Sequence, residues 1–138
     1  ELGKRRALER MPTKPDLGSS LAIYNYLMPQ LADLKVEQAH LLLMNQNFRL
    51  IKHVKISEGG LTETSVDIRI IMQAAVKHGA TIMAFAHNHP SHNAMPSRAD
   101  DQLTMQIKKA CEIMRIFFMD HVIITDGSFY SYHDKGRL

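Results

Sequence analysis

The sequence is poor in the residues that staple or punctuate a chain. It has one cysteine, Cys111, no tryptophan, seven glycines and five prolines. A single thiol excludes an internal disulfide. It also excludes the all-thiolate zinc sites, so any metal must rest on histidine and carboxylate. No apolar run approaches the ~20 residues needed to span a bilayer, and no signal-peptide pattern opens the chain. A membrane protein is not expected, and one free thiol beside nine methionines makes a cytoplasmic setting the default. An excess of one charge is also missing: 17 basic residues against 14 acidic ones leave +3. Lys4, Arg5, Arg6, Arg10 and Lys14 gather much of it near the start. Such a cluster could touch DNA, although one charged helix face is more often simply solvated.

What is present suits one globular domain. The 138 residues are 45% hydrophobic and 22% charged, and a chain of this size buries about two thirds of its unfolded surface. Residues 1–15 read as an N-terminal helix and linker: Glu1 to Glu9 as the tail of a basic helix, then a break at Met11-Pro12-Thr13-Lys14-Pro15. Residues 16–138 read as the domain. A chain that opens on Glu1 rather than methionine is expected to be a piece of a longer protein.

Within the domain the hydrophobic period changes several times. Leu21, Tyr24, Leu27, Met28 and Leu31 stand at helical spacing, with Pro29 expected to end or kink the helix. Ala39 to Met44 is a short apolar run, the mark of a strand covered on both faces. Asn45-Gln46-Asn47 turns the chain, and Phe48 to Ile56 returns as a second strand, most economically as a hairpin. Asp67 opens a helix with the stripe Ile70, Ile71, Ala74, Ala75 and Val76, closed by Gly79. Thr81 to Ala86 reads as a central strand, His87 to Pro96 as a loop, and Ser97 to about Met114 as a long helix. Ile116 to Met119 and Val122 to Ile124 supply a further strand, bent or interrupted at Asp120-His121. Phe129 to Tyr132 follows as a last short one. Strands interleaved with helices and a hairpin predict an α/β (α+β) sandwich with a mixed sheet flanked by helices.

The informative segment runs from His87 to Asp100. Residues two apart in an extended chain share a face, so His87 and His89 can aim at one point. Asp100, in the first turn of the next helix, can be a third ligand, because Pro90 and Pro96 stiffen the intervening loop. Three protein ligands and an open position are what a catalytic zinc site requires. The plainer reading of Ser97-x-x-Asp100 is a capping box with Asp in place of Glu, favourable with no metal present.

His-x-His, seven residues, Ser, two residues, Asp resembles the motif of the JAB/MPN (JAMM) metalloproteases. His87-Asn88-His89-Pro90-Ser91, followed by Pro96-Ser97 and Asp100, is similar to the bacterial RadC branch of that family. The likeness continues through Asn45 to Ile51, Asp120 to Ile123 and Gly127 to Ser131. Glu1 to Arg5 resembles the linker that follows a helix-hairpin-helix region in longer RadC proteins. The resemblance implies a JAB/MPN, cytidine-deaminase-like sandwich holding Zn2+ on His87, His89 and Asp100. It implies amide hydrolysis of a peptide or isopeptide, with Glu37 as general base and Ser97 as the oxyanion's hydrogen-bond donor. Glu58 and Glu63 compete with Glu37 for the base. His92 stands where RadC-like chains commonly carry glycine. It could crowd the loop, add a fourth ligand or face water, and water is expected. Asp120-His121 can either support a ligand histidine from behind or merely break a strand.

Rival functions divide by chemistry. Zinc-dependent deamination needs Pro-Cys-x-x-Cys, which one cysteine cannot supply. A metal-dependent nuclease is the stronger competitor, since RadC-like proteins carry a traditional DNA-repair label. The contiguous letters His87-Asn88-His89 do not make the dispersed nuclease motif of similar name. A non-catalytic interaction module is the third reading. The substrate and the oligomeric state are not legible.

Overall fold

The computed structural model describes residues 14–59 and 66–138. The expected helix from Glu1 to Glu9, its break through Thr13, the basic residues Lys4 to Arg10 and the competing acid Glu63 lie outside them.

Helix α1 spans Ser20–Leu31. Ser19 caps it, its hydroxyl accepting from the Ala22 N–H at 3.1 Å, which satisfies one of the free amides of the first turn. The buried stripe is Ile23, Leu27 and Leu31, so Leu21, expected inside, is 54% exposed instead. Pro29 sits in the last turn, where a lost hydrogen bond costs least, and the helix ends two residues later.

Strands β1 (Gln38–Met44) and β2 (Leu50–Glu58) form the hairpin. Asn45 builds its turn by accepting from the Asn47 and Arg49 N–H groups at 2.9 and 3.1 Å. Phe48 adopts φ 60 there, which is why β2 starts later than the apolar pattern suggests. Helix α2 (Ile68–Lys77) is capped by Asp67 and buries only Ile71 and Ala75. Ile70 and Val76 are exposed, so its apolar stripe is narrower than the spacing implied. Gly79, at φ 64, ends this segment in the left-handed conformation that glycine adopts without strain.

Strand β3 (Ile82–Asn88), helix α3 (Arg98–Met114), strand β4 (Phe117–Ile124) and strand β5 (Phe129–Ser131) complete the chain. One mixed sheet results, in the order β2-β1-β3-β4-β5. Only β3 and β4 run parallel; the remaining neighbours are antiparallel. The expected interruption at Asp120-His121 does not occur. A register shift opposite Met83 and Ala84 absorbs one residue, and β4 continues through both.

Alternation divides the core. Ala39, Leu41, Leu43, Met83 and Phe85 face α2 and α3, meeting Ile71, Ala75, Leu103 and Ile107. Leu42, Met44, Ala84 and Ala86 face α1, meeting Ile23, Leu27 and Leu31. The result is the expected α+β sandwich, one mixed sheet between helices, consistent with a JAB/MPN domain.

Candidate metal centre

Strand β3 runs two residues further than its apolar run, so His87 and Asn88 belong to the strand and not to the loop. His87 follows Met83 and Phe85 on the α3 side and is fully buried. His89 stands just beyond the strand end, its N–H donating to the Ile124 carbonyl at 3.0 Å. The two rings meet with Nε2 atoms 3.0 Å apart.

Asp100 arrives from the first turn of α3. The capping box does form: the Asp100 N–H donates to Ser97 Oγ at 3.1 Å, and the Ser97 N–H donates to Asp100 Oδ2 at 2.8 Å. The cap and the ligand reading are therefore not alternatives. The cap fixes the carboxylate, and the fixed carboxylate lies 3.2 Å from His87 Nε2 and 3.2 Å from His89 Nε2. Asp100 is only 2% exposed. Burial alone would raise its pKa. The hydrogen bonds with His87 and His89 and the His87 charge outweigh burial and hold it far below the usual carboxylate range. His89 is drawn upward in spite of burial, chiefly by Asp100 and the Asn93 carbonyl, with Glu37 adding to it. His87, wholly enclosed, is drawn downward by burial, against the pull of Asp100.

The outer nitrogens identify which lone pairs face inward. His89 Nδ1 lies 2.8 Å from the Asn93 carbonyl and must donate to it. His87 Nδ1 lies 2.8 Å from His121 Nε2, and His121 Nδ1 lies 2.5 Å from Thr104 Oγ1. The Thr104 hydroxyl donates to the Asp100 carbonyl at 2.8 Å, so it must accept from His121. His121 Nε2 is then an acceptor, and His87 donates to it through Nδ1. In the neutral form of both rings, which gives up the Nε2 protons shared with Asp100, the Nε2 lone pairs and the carboxylate converge on one point. Ligands about 2.0–2.2 Å from a tetrahedral zinc ion are separated by about 3.3 Å. The observed 3.0–3.2 Å fits such an ion with small adjustment, and the donor set suits it.

Glu37 reaches the same place from the turn before β1. Its Oε1 lies 3.6 Å from His89 Nε2, and ligand atoms of Glu37, His87 and His89 all lie within 4.8 Å of one another. Glu37 is thus a fourth donor on purely metric grounds. Its side chain is more open than that of Asp100, 26% against 2%. The group whose ligand atoms converge most openly is thus Glu37, His87 and His89, with Asp100 packed behind the two rings as a further donor. Asn88 holds Glu37 in position: its Oδ1 accepts from the Gln38 N–H at 2.7 Å, and its Nδ2 donates to the Val36 carbonyl at 3.0 Å. Glu58, the rival acid, instead accepts from Gln38 Nε2 and pairs with Lys55.

Ser97 Oγ accepts the cap bond and keeps its own proton to donate. His92, at φ 65, is exposed and lines a surface groove with Met95, Phe129 and Lys135. The Asp120-His121 pair is split by the sheet. His121 supports His87, wedged between Phe85 and a stacked Tyr132, whereas Asp120 accepts from Ser131 Oγ and the His133 N–H. Cys111 is buried at 3.5 Å from the Met83 sulfur, and burial pushes its thiol up to about 12, so it plays no part. A roomier groove of about 880 Å³ along α2, lined by Ile70, Val76 and Met114, shares no residue with the centre.

Fold and site together define a domain of the JAB type: a mixed sheet with two histidines at the end of a central strand and an acid capping the next helix. The chain belongs to the RadC-like JAB domain family, whose model matches residues 17–137. It is 40% identical over 139 residues to a UPF0758 protein of Porphyromonas gingivalis, covering 100% of this chain and 61% of that one. It is 35% identical over 136 residues to a UPF0758 protein of Flavobacterium johnsoniae, covering 99% and 59%. A UPF0758 protein of Aeromonas hydrophila is 40% identical over 138 residues, covering 100% and 62%. The chain thus spans about three fifths of the length of these curated relatives. No helix among the described residues is long and apolar enough to cross a membrane.

Proposed function

We propose that this domain is a zinc-dependent hydrolase that cleaves an amide bond in a peptide or isopeptide. The observation that carries the reading is one acid, Glu37, standing 3.6 Å from His89 Nε2 beside the lone pairs of His87, His89 and Asp100. His87, His89 and Asp100 would hold the ion, which supplies an activated water and a polarised carbonyl when bound.

The chain's own groups then divide the work. Glu37 takes the proton of the attacking water and passes it to the leaving amine, a role that needs a carboxylate within reach of both. The Ser97 hydroxyl donates a hydrogen bond to the oxyanion of the tetrahedral intermediate. Ser97 is not the nucleophile, because its hydroxyl faces the Asp100 amide and no base among the described residues is paired with it. His121 and Thr104 keep His87 in the tautomer whose Nε2 is free to bind. Asn93 does the same for His89.

Glu37→Gln and wild type, incubated with peptide, isopeptide and single-stranded DNA, separate the readings. Amide cleavage by wild type alone is expected. DNA cleavage without amide cleavage would replace the proposal with a nuclease, and no cleavage of any substrate would favour an interaction module.

A further inference from the structure

A second pair of histidines lies on the other face of the sheet. His40 alternates with Ala39 and Leu41 and so points toward α1, with Leu42 and Met44. The register sets His40 opposite Lys55 and Leu42 opposite His53, which makes His40 and His53 diagonal neighbours across β1 and the edge strand β2. His40 Nδ1 and His53 Nε2 are 2.6 Å apart, with ring centroids at 4.9 Å and planes tilted by 55°. Each ring has an oxygen at its other nitrogen: Gln38 Oε1 lies 2.9 Å from His40 Nε2, and the Tyr26 hydroxyl lies 3.1 Å from His53 Nδ1.

We propose that His40 Nδ1 and His53 Nε2 form a second, two-nitrogen metal site, suited to a tetragonal divalent ion such as Cu2+. Histidines that bind metals through one nitrogen are held through the other by an oxygen partner, and both rings meet that condition. The spacing selects the geometry. Two nitrogens at ~2.0 Å in cis positions of a tetragonal ion lie about 2.8 Å apart, against about 3.3 Å around a tetrahedral one. The observed 2.6 Å needs the smaller opening for the tetragonal ion, and Cu2+ also heads the affinity order for imidazole sites.

Binding requires a tautomer change together with a small opening and turning of the two rings, of which His40 is buried. In the unbound pair Gln38 Oε1 must accept, so His40 donates through Nε2 and receives at Nδ1 the proton of His53 Nε2. On binding, that proton moves to His53 Nδ1, the Tyr26 hydroxyl turns to accept it, and both facing lone pairs go to the ion. The neighbouring cation Lys55 opposes the ion's charge, but it is half exposed and paired with Glu58 at 3.8 Å, so solvent screens it. The remaining coordination positions are left to water or a chelate. Such an ion would clip the edge strand to β1 and stabilise the fold by mass action.

Cu2+ iminodiacetate, whose chelate leaves cis positions open, is the probe. Titrated into the full chain preloaded with one equivalent of zinc, it should give one further bound equivalent with a two-nitrogen electron paramagnetic resonance signature. The signature should vanish in His53→Gln and in His40→Gln and persist in His89→Gln. In wild type, paramagnetic broadening should centre on the amides of Ala39 to Leu41 and Lys52 to Val54. Broadening centred on His87 to His89, or a signature unchanged in His53→Gln, would overturn the site, as would no further bound equivalent in wild type. None of these outcomes depends on amide hydrolysis.

Discussion

His87 and His89 lie on the α3 side of the sheet and His40 and His53 on the α1 side, and the two pairs meet different company. Asp100 stands 3.2 Å from each ring of the first pair and Glu37 3.6 Å from one of them. Beside the second pair the described contacts are neutral, an amide oxygen and a phenol, and the cation Lys55 acts on His40. The consequences differ in sign between His89 and His40, although the wholly buried His87 is also drawn downward. His89 is drawn upward by its acids, whereas burial, then His53 and Lys55, bring His40 down to about 4. Two imidazoles in contact therefore do not define one kind of site. Whether a backbone element delivers a carboxylate to them decides between a charged His/His/acid cluster and a neutral two-nitrogen pair.

The contrast can be broken most sharply at its acids. Glu37→Gln should lower amide hydrolysis by about 10²–10⁴-fold while metal content, read by elemental analysis, stays at the wild-type level. Ser97→Ala should cost about 10²–10³ in rate and also ~1 kcal/mol of stability through the lost cap, so kinetics and urea melts must both move. A variant that changed stability alone would leave Ser97 a cap and nothing more. Behind the first pair, His121→Leu leaves the buried His87 N–H without its acceptor. About 10–100-fold weaker metal binding is expected, measured by competition with a chromophoric chelator, and Thr104→Val should give a smaller effect in the same direction.

The smallest effect concerns the second pair and is a matter of pH. His40 binds its proton less readily in the folded chain, at about 4 against an ordinary 6.5. The stability it contributes is complete above pH 6.5 and is lost as the pH falls from there toward 4. Urea melts across that range should show wild type losing stability faster than His40→Leu. Parallel curves would mean that His40 is protonated as readily folded as unfolded.

Much of this was legible because its physics is local. The apolar run Leu41 to Met44, the Asn45 turn, the Asp67 and Ser97 caps and the Gly79 stop each carry their own signal, and the structure agrees with them. Where helix stripes were read too wide, at Leu21, Ile70 and Val76, spacing gave the period but not the neighbour that decides which flank is covered. The expected break in β4 fails for a related reason. A polar Asp120-His121 looks like an interruption until the opposite strand's register shift and the partners Thr104, Ser131 and His133 are known. Within the centre, His87, His89, Asp100, Ser97 and Glu37 all come together. Of the residues that fix them, His121 was one of two readings of its pair, and Asn88, Thr104 and Asn93 were missed. Asn88 looked like a spacer between histidines, although the antiparallel pairing of Ala39 with His87 puts it opposite Gln38, beside Glu37. Thr104 and Asn93 carry no motif, and only the folded geometry shows them setting the tautomers.

The centre is tested most directly by zinc stoichiometry and affinity in purified wild type, His87→Ala and Asp100→Ala, each first confirmed as folded by circular dichroism. One equivalent of zinc in wild type, and none retained in either variant after dialysis against a weak chelator, is the expected result. A full equivalent held by both variants would contradict the convergence of these side chains on one ion.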